Sequence, residues 1–474
     1  MLKQNDSQPD LRATFDALRA AWLETRPTYA QRVQDLKRLQ DAFSQRLGEM
    51  AEAISADFGH RSRHESLLGE GSVVLSEIKH TLRKLKSWMR PERRAAGWKL
   101  LPASAEIRHV PLGVVGIIAP WNYPVNLALA PLVAAIAAGN HVFLKPSEHT
   151  PRTAAFLQSL LADVFPSSRV AVAQGGAELS AAFSELPFDH LFFTGSTAVG
   201  RKVMAAAARN LTPVTLELGG KSPAIVAPSA NLERAARRIA TGKFFNAGQT
   251  CIAPDYVLVS SEKRDELVRL IKQEVSARYN DRQGFDDYTS IVNDGQFARL
   301  NGLLDDAAVK GFELTSLVDA TSLPSGRARL MAPTAVLDPT PDSAIMRDEI
   351  FGPILPVIGY GSLDEATTYV VERDRPLALY CFGDDRAEIE IMLSRIVAGG
   401  VCVNDTLYQF ACADLPFGGV GASGMGHYHG REGFLTFSKA MPVLRKYEPS
   451  ASDLIRPPYK GLTDWLVRLV TKLH

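Results

Sequence analysis

The chain has 474 residues, of which 46% are hydrophobic and 22% are charged, and its 53 Lys and Arg residues nearly balance its 52 Asp and Glu residues. This length predicts two or three domains, the composition is that of an ordinary globular protein, and the balanced charge argues against a general affinity for nucleic acid or anionic membranes. The N-terminus has no apolar signal segment, and no stretch reaches the ~18 uncharged apolar residues of a membrane span, so we expect a soluble cytoplasmic protein.

The first part of the chain has a helical pattern. Apolar residues recur three or four positions apart between residues 11 and 57, and Pro27 interrupts the pattern, which predicts two helices in an N-terminal layer. After a basic connecting sequence, the apolar run at residues 114–119 predicts a buried strand that ends in the turn-rich segment PWNYP.

Strands and helices then alternate along the chain. The predicted elements before Gly219-Gly220 are strand 141–145, helix 150–163, strand 170–174, strand 190–194, helix 197–209 and strand 213–218. After the two glycines the pattern predicts a strand at AIVA, helix 231–243, strand 256–259, helix 262–280 and further α/β structure to about residue 412. Such alternation is typical of parallel sheets that bind ligands at the carboxyl ends of their strands, so we predict two α/β domains.

Four cysteines are too few for a disulfide scaffold in a chain of this length, and none forms a CxxC pair, so we expect reduced thiols and no bound metal. Cys381 and Cys402 lie in apolar, strand-like runs and are expected in the core. Cys251 follows a Gly-Gln-Thr turn in FFNAGQTCIAP, which can present a thiol at a cleft. An isolated cysteine is usually inert and packed, so a catalytic role for Cys251 requires suitable neighbours.

Two other segments carry groups that a thiol nucleophile needs. Glu217 in LELGGKSP ends a predicted strand; alone it would be a solvated or ion-paired carboxylate, but with Cys251 it can act as the general base that hydrolyses an acyl-enzyme. Asn122 in PWNYP is either an ordinary turn residue or, together with the Cys251 backbone N–H, a donor to an oxyanion.

A further pair of segments can bind a nucleotide. In FTGSTAVG, Gly195 ends a strand and Ser196 opens a helix, so that free N–H groups at the helix N-terminus can face a pyrophosphate, although the glycine spacing is not GxGxxG. Lys145 and Glu148 in LKPSE follow another strand and can hold an adenosine ribose.

The order of these segments resembles that of the aldehyde dehydrogenase superfamily, and the similarity extends over nearly the whole chain. The segments are PWNYP, LKPSE, FTGSTAVG, LELGGKSP, FNAGQTC, EIFGP, VCVND and PFGGVGASGMG. The resemblance implies that Cys251 is the nucleophile, Glu217 the general base and Asn122 the oxyanion donor.

The same resemblance implies a site for NAD or NADP. Lys145 and Glu148 would hold the adenosine ribose, and Ser196 with its neighbouring N–H groups the pyrophosphate. Glu349 and Phe351 would contact the nicotinamide ribose and ring. The remaining residues implied for this cleft are Trp121 and Gly195.

The family fold also implies two doubly wound, Rossmann-like domains and a small β bridging element that forms a homodimer. The implied segments are residues 1–96 and 113–218 for the NAD(P)-binding domain, 219–412 for the catalytic domain, 97–112 and 431–448 for the bridging element, and 449–474 for a C-terminal tail.

Several segments resemble one branch of the superfamily, the short-chain, class-3-like branch, which often accepts NADP as well as NAD. These are the compact N-terminus, GQTCIAPDYVLV and GMGHYHGREGFLTFSKAMPVLRK. FGHRSRHESLL and the tail IRPPYKGLTDWLVRL resemble bacterial coniferyl-aldehyde dehydrogenases. We therefore expect oxidation of an aromatic aldehyde, such as coniferyl aldehyde, to the acid through a cysteine thioester. Medium-chain aliphatic aldehydes are the alternative substrates.

Two other functions have to be weighed against this one. A CoA-acylating semialdehyde dehydrogenase usually lacks the general base, whereas Glu217 is present here. A catalytically silent structural protein would have no physical reason to keep Asn122, Glu217 and Cys251 together. Substrate choice would depend on the tunnel that leads to the thiol, for which the candidate wall residues are Tyr123, Tyr408, Phe410 and Cys412.

The C-terminal segment LTDWLVRLVTKLH predicts an amphipathic helix with its apolar residues on one face. We expect this helix to pack on its own chain or on the partner subunit, and attachment to a membrane surface is the alternative. The segment is too short to span a bilayer.

Overall fold

The computed structural model describes residues 10–97, 100–279, 282–319, 323–324, 326–450, 457, 459 and 461–472. The α-helices in these parts of the chain are α1 (Leu11–Glu24), α2 (Tyr29–Gln45), α3 (Leu47–Phe58), α4 (Arg63–Ser66), α5 (Val73–Trp88), α6 (Asn126–Ala138), α7 (Pro151–Val164), α8 (Ala177–Ser184), α9 (Thr197–Ala208), α10 (Leu232–Phe244), α11 (Arg264–Arg278), α12 (Arg282–Asp286), α13 (Asp294–Val309), α14 (Ala344–Arg347), α15 (Leu363–Val371), α16 (Arg386–Arg395), α17 (Tyr408–Ala411), α18 (Gly430–Thr436) and α19 (Gly461–Lys472). A π-helical turn at Leu67–Ser72 joins α4 to α5.

The strands are β1 (Glu92–Arg94), β2 (Ala103–Pro111), β3 (Val114–Ile118), β4 (His141–Lys145), β5 (Val170–Val172), β6 (His190–Gly195), β7 (Val214–Leu218), β8 (Pro223–Val226), β9 (Tyr256–Ser260), β10 (Glu313–Ser316), β11 (Thr334–Leu337), β12 (Ile354–Tyr360), β13 (Ala378–Phe382), β14 (Gly400–Val403), β15 (Gly424–Met425) and β16 (Ser438–Lys446).

Two of the three sheets are almost entirely parallel. The first has the order β15-β7-β6-β3-β4-β5, in which only the short β15 runs antiparallel to its neighbour, and the second has the order β10-β11-β12-β9-β8-β13-β14, in which only β10 does. Both faces of the first sheet are buried: Val115 and Ile117 pack into one hydrophobic core, whereas Val114 and Ile118 pack into another. This burial explains why the strands are rich in apolar residues on both faces, and the two parallel sheets confirm the predicted α/β fold with two doubly wound units.

The third sheet is small and antiparallel, with the order β1-β2-β16. Its long strands β2 and β16 pair over nine residues, from Ser438 opposite Pro111 to Lys446 opposite Ala103. This sheet joins the two chain regions that were predicted to form a bridging element. β1, however, precedes the first of those regions, and β15 pairs with β7 of the first sheet although it follows residue 412. The domain boundaries stay a prediction.

The N-terminal layer differs from the prediction of two helices. Three helices precede residue 59, because Arg46 leaves the helical conformation and separates α2 from α3. Helices α5 and α6 were not predicted. Every residue of α6 is buried, so the sequence carries no amphipathic period that would reveal a helix, and Pro131 lies within it.

The predicted C-terminal helix is present as α19. The side chains of Leu462, Trp465 and Leu469 are exposed, so the rest of the described chain does not cover the apolar face. Three predicted features lie outside the described residues: Leu473 of the segment LTDWLVRLVTKLH, tail residues 451–456 and the predicted helix end at residue 280. Within those that are described, no helix is long and apolar enough to cross a membrane.

Candidate active site

The site forms where two loops from different sheets meet. One is the PWNYP loop after β3, and the other is the segment 245–253 between α10 and β9. The side-chain amide of Asn122 donates to the carbonyl of Gln249 at 3.1 Å, and the hydroxyls of Tyr123 and Thr250 share a hydrogen bond of 2.7 Å. These contacts hold Asn122 next to the loop that carries Cys251.

The second loop turns sharply before the thiol. Asn246 and Ala247 have φ angles of 52° and 50°, a left-handed conformation that residues other than glycine rarely adopt, and Gly248 follows with φ 73°. Such strained backbone persists only where surrounding contacts hold it. The turn presents Cys251 at the surface of a cavity, as the Gly-Gln-Thr sequence predicted.

Cys251 lines an apolar cavity of about 290 Å³. The cavity also contains Tyr123, Tyr408 and Phe410, which were predicted as wall residues. Cys412 was predicted there too, but it is exposed and is absent from the lining. The sequence analysis missed the lining residues Gly69, Leu127 and Phe245. Phe245 could have been found by its position in FFNAGQTC, whereas nothing in the local sequence connects Gly69 with Cys251.

Carboxylates, not cations, are the charged groups that act on the thiol. Burial and the negative charges of Glu349 and Glu217 raise the pKa of Cys251 above its usual range. The structure therefore brings Cys251, Glu217 and Glu349 into one electrostatic environment. A thiolate at this position needs a proton acceptor or a positive charge nearby to form at neutral pH.

Glu217 lies in β7, between Thr194 of β6 and Gly424 of β15. It is 3% exposed, and neither of its carboxyl oxygens has a hydrogen-bond partner in the part of the chain that the structure describes. Burial raises its pKa well above the usual range. A carboxyl group with a raised pKa is a stronger base than an ordinary one and is suited to general base catalysis.

The predicted nucleotide-binding residues lie at the carboxyl edge of the first sheet. Lys145, the last residue of β4, is almost fully buried and forms an ion pair of 2.5 Å with Glu148. Gly195 ends β6, and Ser196 caps α9 by accepting a hydrogen bond from the Val199 N–H at 3.4 Å. The 12-residue helix α9 thus begins where the prediction placed an anion-binding turn.

Of the other predicted cofactor residues, Trp121 lies in the PWNYP loop after β3 of the first sheet, whereas Glu349 and Phe351 approach the same edge from the segment before β12 of the second sheet. The rings of Trp121 and Phe351 meet edge to face with centroids 5.2 Å apart. The Glu349 carboxyl group lies so close to Gly219 that a Cβ atom there would clash with it. Burial and the charge of Asp255 raise the pKa of Glu349 to about 8. The structure therefore brings together the residues predicted for the adenosine and nicotinamide ends of one cofactor.

These residues fit a dinucleotide. The hydroxyl oxygen of Thr194 and both oxygens of Glu217 are buried without partners among the described residues, and Gly195 and Gly219 place no side chain of their own at the same edge. In open α/β sheets this edge is where nucleotides bind. In the described part of the chain, no group of three or more His, Cys, Asp or Glu side chains is placed to hold a metal ion.

Comparison with known proteins agrees with this arrangement. The model of the aldehyde dehydrogenase family matches residues 4–443. The chain is 51% identical to a probable coniferyl aldehyde dehydrogenase of Pseudomonas aeruginosa, with coverage of 95% of this chain and 94% of that protein. It is 44% identical to the coniferyl aldehyde dehydrogenase of a Pseudomonas species, with coverage of 95% and 94%.

Among solved structures, the substrate-bound state of Staphylococcus aureus AldH superimposes with a TM-score of 0.90 at 38% identity, covering 97% of this chain and 99% of that one. The chain belongs to the aldehyde dehydrogenase family. It is an oxidoreductase that acts on aldehydes with NAD(P) as cofactor.

Proposed function

We propose that the protein oxidises aromatic aldehydes of the coniferyl type to carboxylic acids, with Cys251 as nucleophile, Asn122 as oxyanion donor and Glu217 as general base. One observation carries the proposal. A buried carboxyl group without hydrogen-bond partners among the described residues lies within electrostatic range of a thiol that lines an apolar cavity.

In the first half of the reaction, the thiol of Cys251 releases its proton to solvent water and its sulfur forms a bond to the carbonyl carbon. The carbonyl π electrons move to oxygen, and the oxyanion accepts hydrogen bonds from the Asn122 amide and the Cys251 N–H. Since Asn122 uses one amide hydrogen for the Gln249 carbonyl, the second is left for the oxyanion. When bound, NAD(P)⁺ supplies the acceptor for the hydrogen and two electrons that the carbon loses.

In the second half, Glu217 removes a proton from water, and the water oxygen bonds to the carbonyl carbon of the thioester. The carbon–sulfur bond then breaks with its electron pair on sulfur, and the sulfur takes up the proton that Glu217 holds. This step releases the acid and restores both the Cys251 thiol and the Glu217 base. The raised pKa of Glu217 favours this proton transfer.

The test of this scheme is Glu217→Gln, which keeps the shape of the side chain but removes the base. We expect a burst of about one NAD(P)H per active site, followed by turnover about 10²–10⁴-fold slower than that of the wild type. Glu178→Gln, at an exposed position of α8, is the control and should turn over normally. If the variant kept full turnover, or if CoA were required as the acyl acceptor, the hydrolytic role of Glu217 would be wrong.

The substrate proposal rests on the cavity. Tyr123, Phe245 and Phe410 provide aromatic surface in its wall, and apolar side chains provide most of the rest, which suits a flat aromatic aldehyde. Steady-state rates with coniferyl aldehyde, benzaldehyde and hexanal test this directly. We expect the highest kcat/KM for coniferyl aldehyde, and a clear preference for hexanal would support the aliphatic alternative.

For the cofactor, we propose that both NAD and NADP are used. Glu148 is one-third exposed and is held by Lys145, so it has room to turn away from a 2′-phosphate while Lys145 supplies positive charge. The same three aldehydes measured with each cofactor test this proposal. Activity with only one of the two would contradict it.

For assembly and location, we propose a homodimer in the cytoplasm. The edge strand β16 and its flank expose Met441, Leu444 and Tyr447, and an unpaired edge with apolar side chains is suited to a second subunit. The cytoplasm would keep the four cysteines reduced. Light scattering of the purified protein and of Leu444→Asp tests the dimer: we expect twice the chain mass for the wild type and a shift to monomer in the variant. Cell fractionation tests the location.

A further inference from the structure

A buried cluster of charged side chains contacts both loops of the active site from the N-terminal layer. The cluster comes from the segment FGHRSRHESLLGE, part of which was noted in the sequence but has no role in the reaction scheme. Arg61 is its centre: the side chain is entirely buried, and its guanidinium group lies over the rings of Phe58 and Tyr123, at 5.1 and 4.8 Å from their centroids.

Arg61 contacts the PWNYP loop at the oxyanion donor itself. Its Nη1 donates to the backbone carbonyl of Asn122 at 2.9 Å and forms an ion pair of 3.1 Å with Glu70. The other oxygen of Glu70 accepts hydrogen bonds from the N–H groups of Val125 at 2.9 Å and Asn126 at 2.7 Å. The ion pair therefore holds residues 122–126 at both ends.

Glu65 contacts the thiol loop in the same way. Its Oε2 accepts hydrogen bonds from the N–H of Asn246 at 3.0 Å and from the hydroxyl of Thr289 at 2.8 Å. The Asn246 amide in turn donates to the carbonyls of Asn122 at 3.1 Å and Gln249 at 3.2 Å. The Asn122 carbonyl thus accepts from both Arg61 and Asn246, and joins the two loops at one atom.

Stability alone does not explain three buried charged groups. Removing an arginine and two carboxylates from water is costly, and well-packed apolar residues usually stabilise a protein as much or more. What the cluster supplies is geometry, since it holds the left-handed turn at Asn246 and orients the peptide of Asn122. A misplacement of about 1 Å in a catalytic group can cost about 10²-fold in rate.

We propose that Arg61, Glu65 and Glu70 are positioning residues that hold the Asn122 side chain against the thiol loop and so form the oxyanion site. This inference rests on the proposed function, because it requires Asn122 to act on the reacting oxygen. It requires that Arg61 affects kcat only because it positions Asn122.

A double-mutant cycle tests the coupling. We expect kcat to fall about 30-fold in Arg61→Met and about 10²–10³-fold in Asn122→Ala, with the double variant within about threefold of Asn122→Ala alone. The affinity for NADH, measured by fluorescence, should not change in Arg61→Met. If the two losses multiplied in the double variant, the proposal would be overturned.

Arg32→Met is the matched control. Arg32 is also a buried arginine of the N-terminal layer, and it donates to the carbonyls of Pro27 at 3.0 Å and Ala137 at 3.1 Å, without contact to either active-site loop. We expect it to lower the melting temperature by a similar amount while kcat stays within about threefold of the wild type. An equal loss of kcat in the control would assign the effect of Arg61 to general destabilisation.

Glu70→Gln provides the second route if Arg61→Met does not fold. It keeps an oxygen for the Val125 and Asn126 N–H groups but removes the charge that pairs with Arg61, and we expect a loss of about tenfold that again disappears in the Asn122→Ala background. Failure of the proposed function has a different signature, since Asn122→Ala would then turn over as fast as the wild type. A slow Asn122→Ala combined with an unaffected Arg61→Met or Glu70→Gln would overturn the positioning role alone.

Discussion

The two sides of Cys251 differ in chemistry. The cavity side is formed by aromatic and aliphatic side chains such as Tyr123 and Phe410, and no charged residue lines it within the described chain. The opposite side carries the buried Glu217 of the first sheet and the half-buried Glu349 of the segment before β12, and the pKa values of both carboxyl groups are raised. From this difference we expect that the shape of the cavity selects the aldehyde, whereas the carboxyl groups on the other side control proton transfer and cofactor binding.

The largest expected effect on kcat concerns the sulfur atom of Cys251, which lies between the two sides. Cys251→Ser should lower kcat by at least about 10³-fold, because a serine hydroxyl without a base to activate it is a far weaker nucleophile than a thiol. NAD(P)H production with a saturating aldehyde measures it. Cys412→Ser, at an exposed position outside the cavity lining, should retain full activity. Normal turnover in Cys251→Ser would exclude the thioester scheme.

The charged side should determine the pH dependence. Glu217 must be deprotonated to accept a proton from water, and since burial raises its pKa, kcat should fall about tenfold per pH unit below a value well above that of an ordinary carboxyl group. A pH–rate profile from pH 5 to 9 measures this acid limb. The limb should disappear in the residual activity of Glu217→Gln. A limb that persisted unchanged would point to another group, such as Glu349.

The cavity side should respond to size rather than to charge. A Cβ atom on Gly69 would lie 2.9 Å from a ring carbon of Tyr123 and 3.2 Å from one of Phe245, so Gly69→Ala should press both rings into the cavity. We expect kcat/KM to fall about tenfold for coniferyl aldehyde and little for propanal. Gly302→Ala, in α13 with open space around it, is the control. An equal loss for both aldehydes would contradict a steric role.

The smallest expected effect concerns the preference between NAD and NADP at Glu148. Glu148→Gln removes a negative charge that faces the position proposed for the adenosine ribose and leaves Lys145 in place. We expect the ratio of kcat/KM with NADP to that with NAD to rise about fivefold, which is modest because Glu148 is partly exposed. Steady-state kinetics with both cofactors measure the ratio. An unchanged ratio would contradict the proposal that Glu148 faces the 2′-hydroxyl of the adenosine ribose.

Most strands of the central region were predictable because their information is local. The runs at β3, β4 and β6 have apolar centres and are followed by Gly, Pro or polar turn residues, so a few adjacent positions indicate both the burial of each strand and its end. Helix α6 was not predictable in this way. Since it is buried on every side, its sequence has no polar face to reveal the helical period.

The same distinction applies to the site. The sequence by itself determined the candidates Cys251, Glu217 and Asn122, because the residues around each form a recognisable segment, and it determined the α/β class from the alternation of strands and helices. Only the tertiary structure decided that Arg61 contacts Asn122, that Glu65 contacts Asn246, and that Gly69 faces Tyr123 and Phe245. The physical reason is that a buried charge or a closely packed glycine depends on partners 54 to 181 positions away along the chain, which no local pattern can specify.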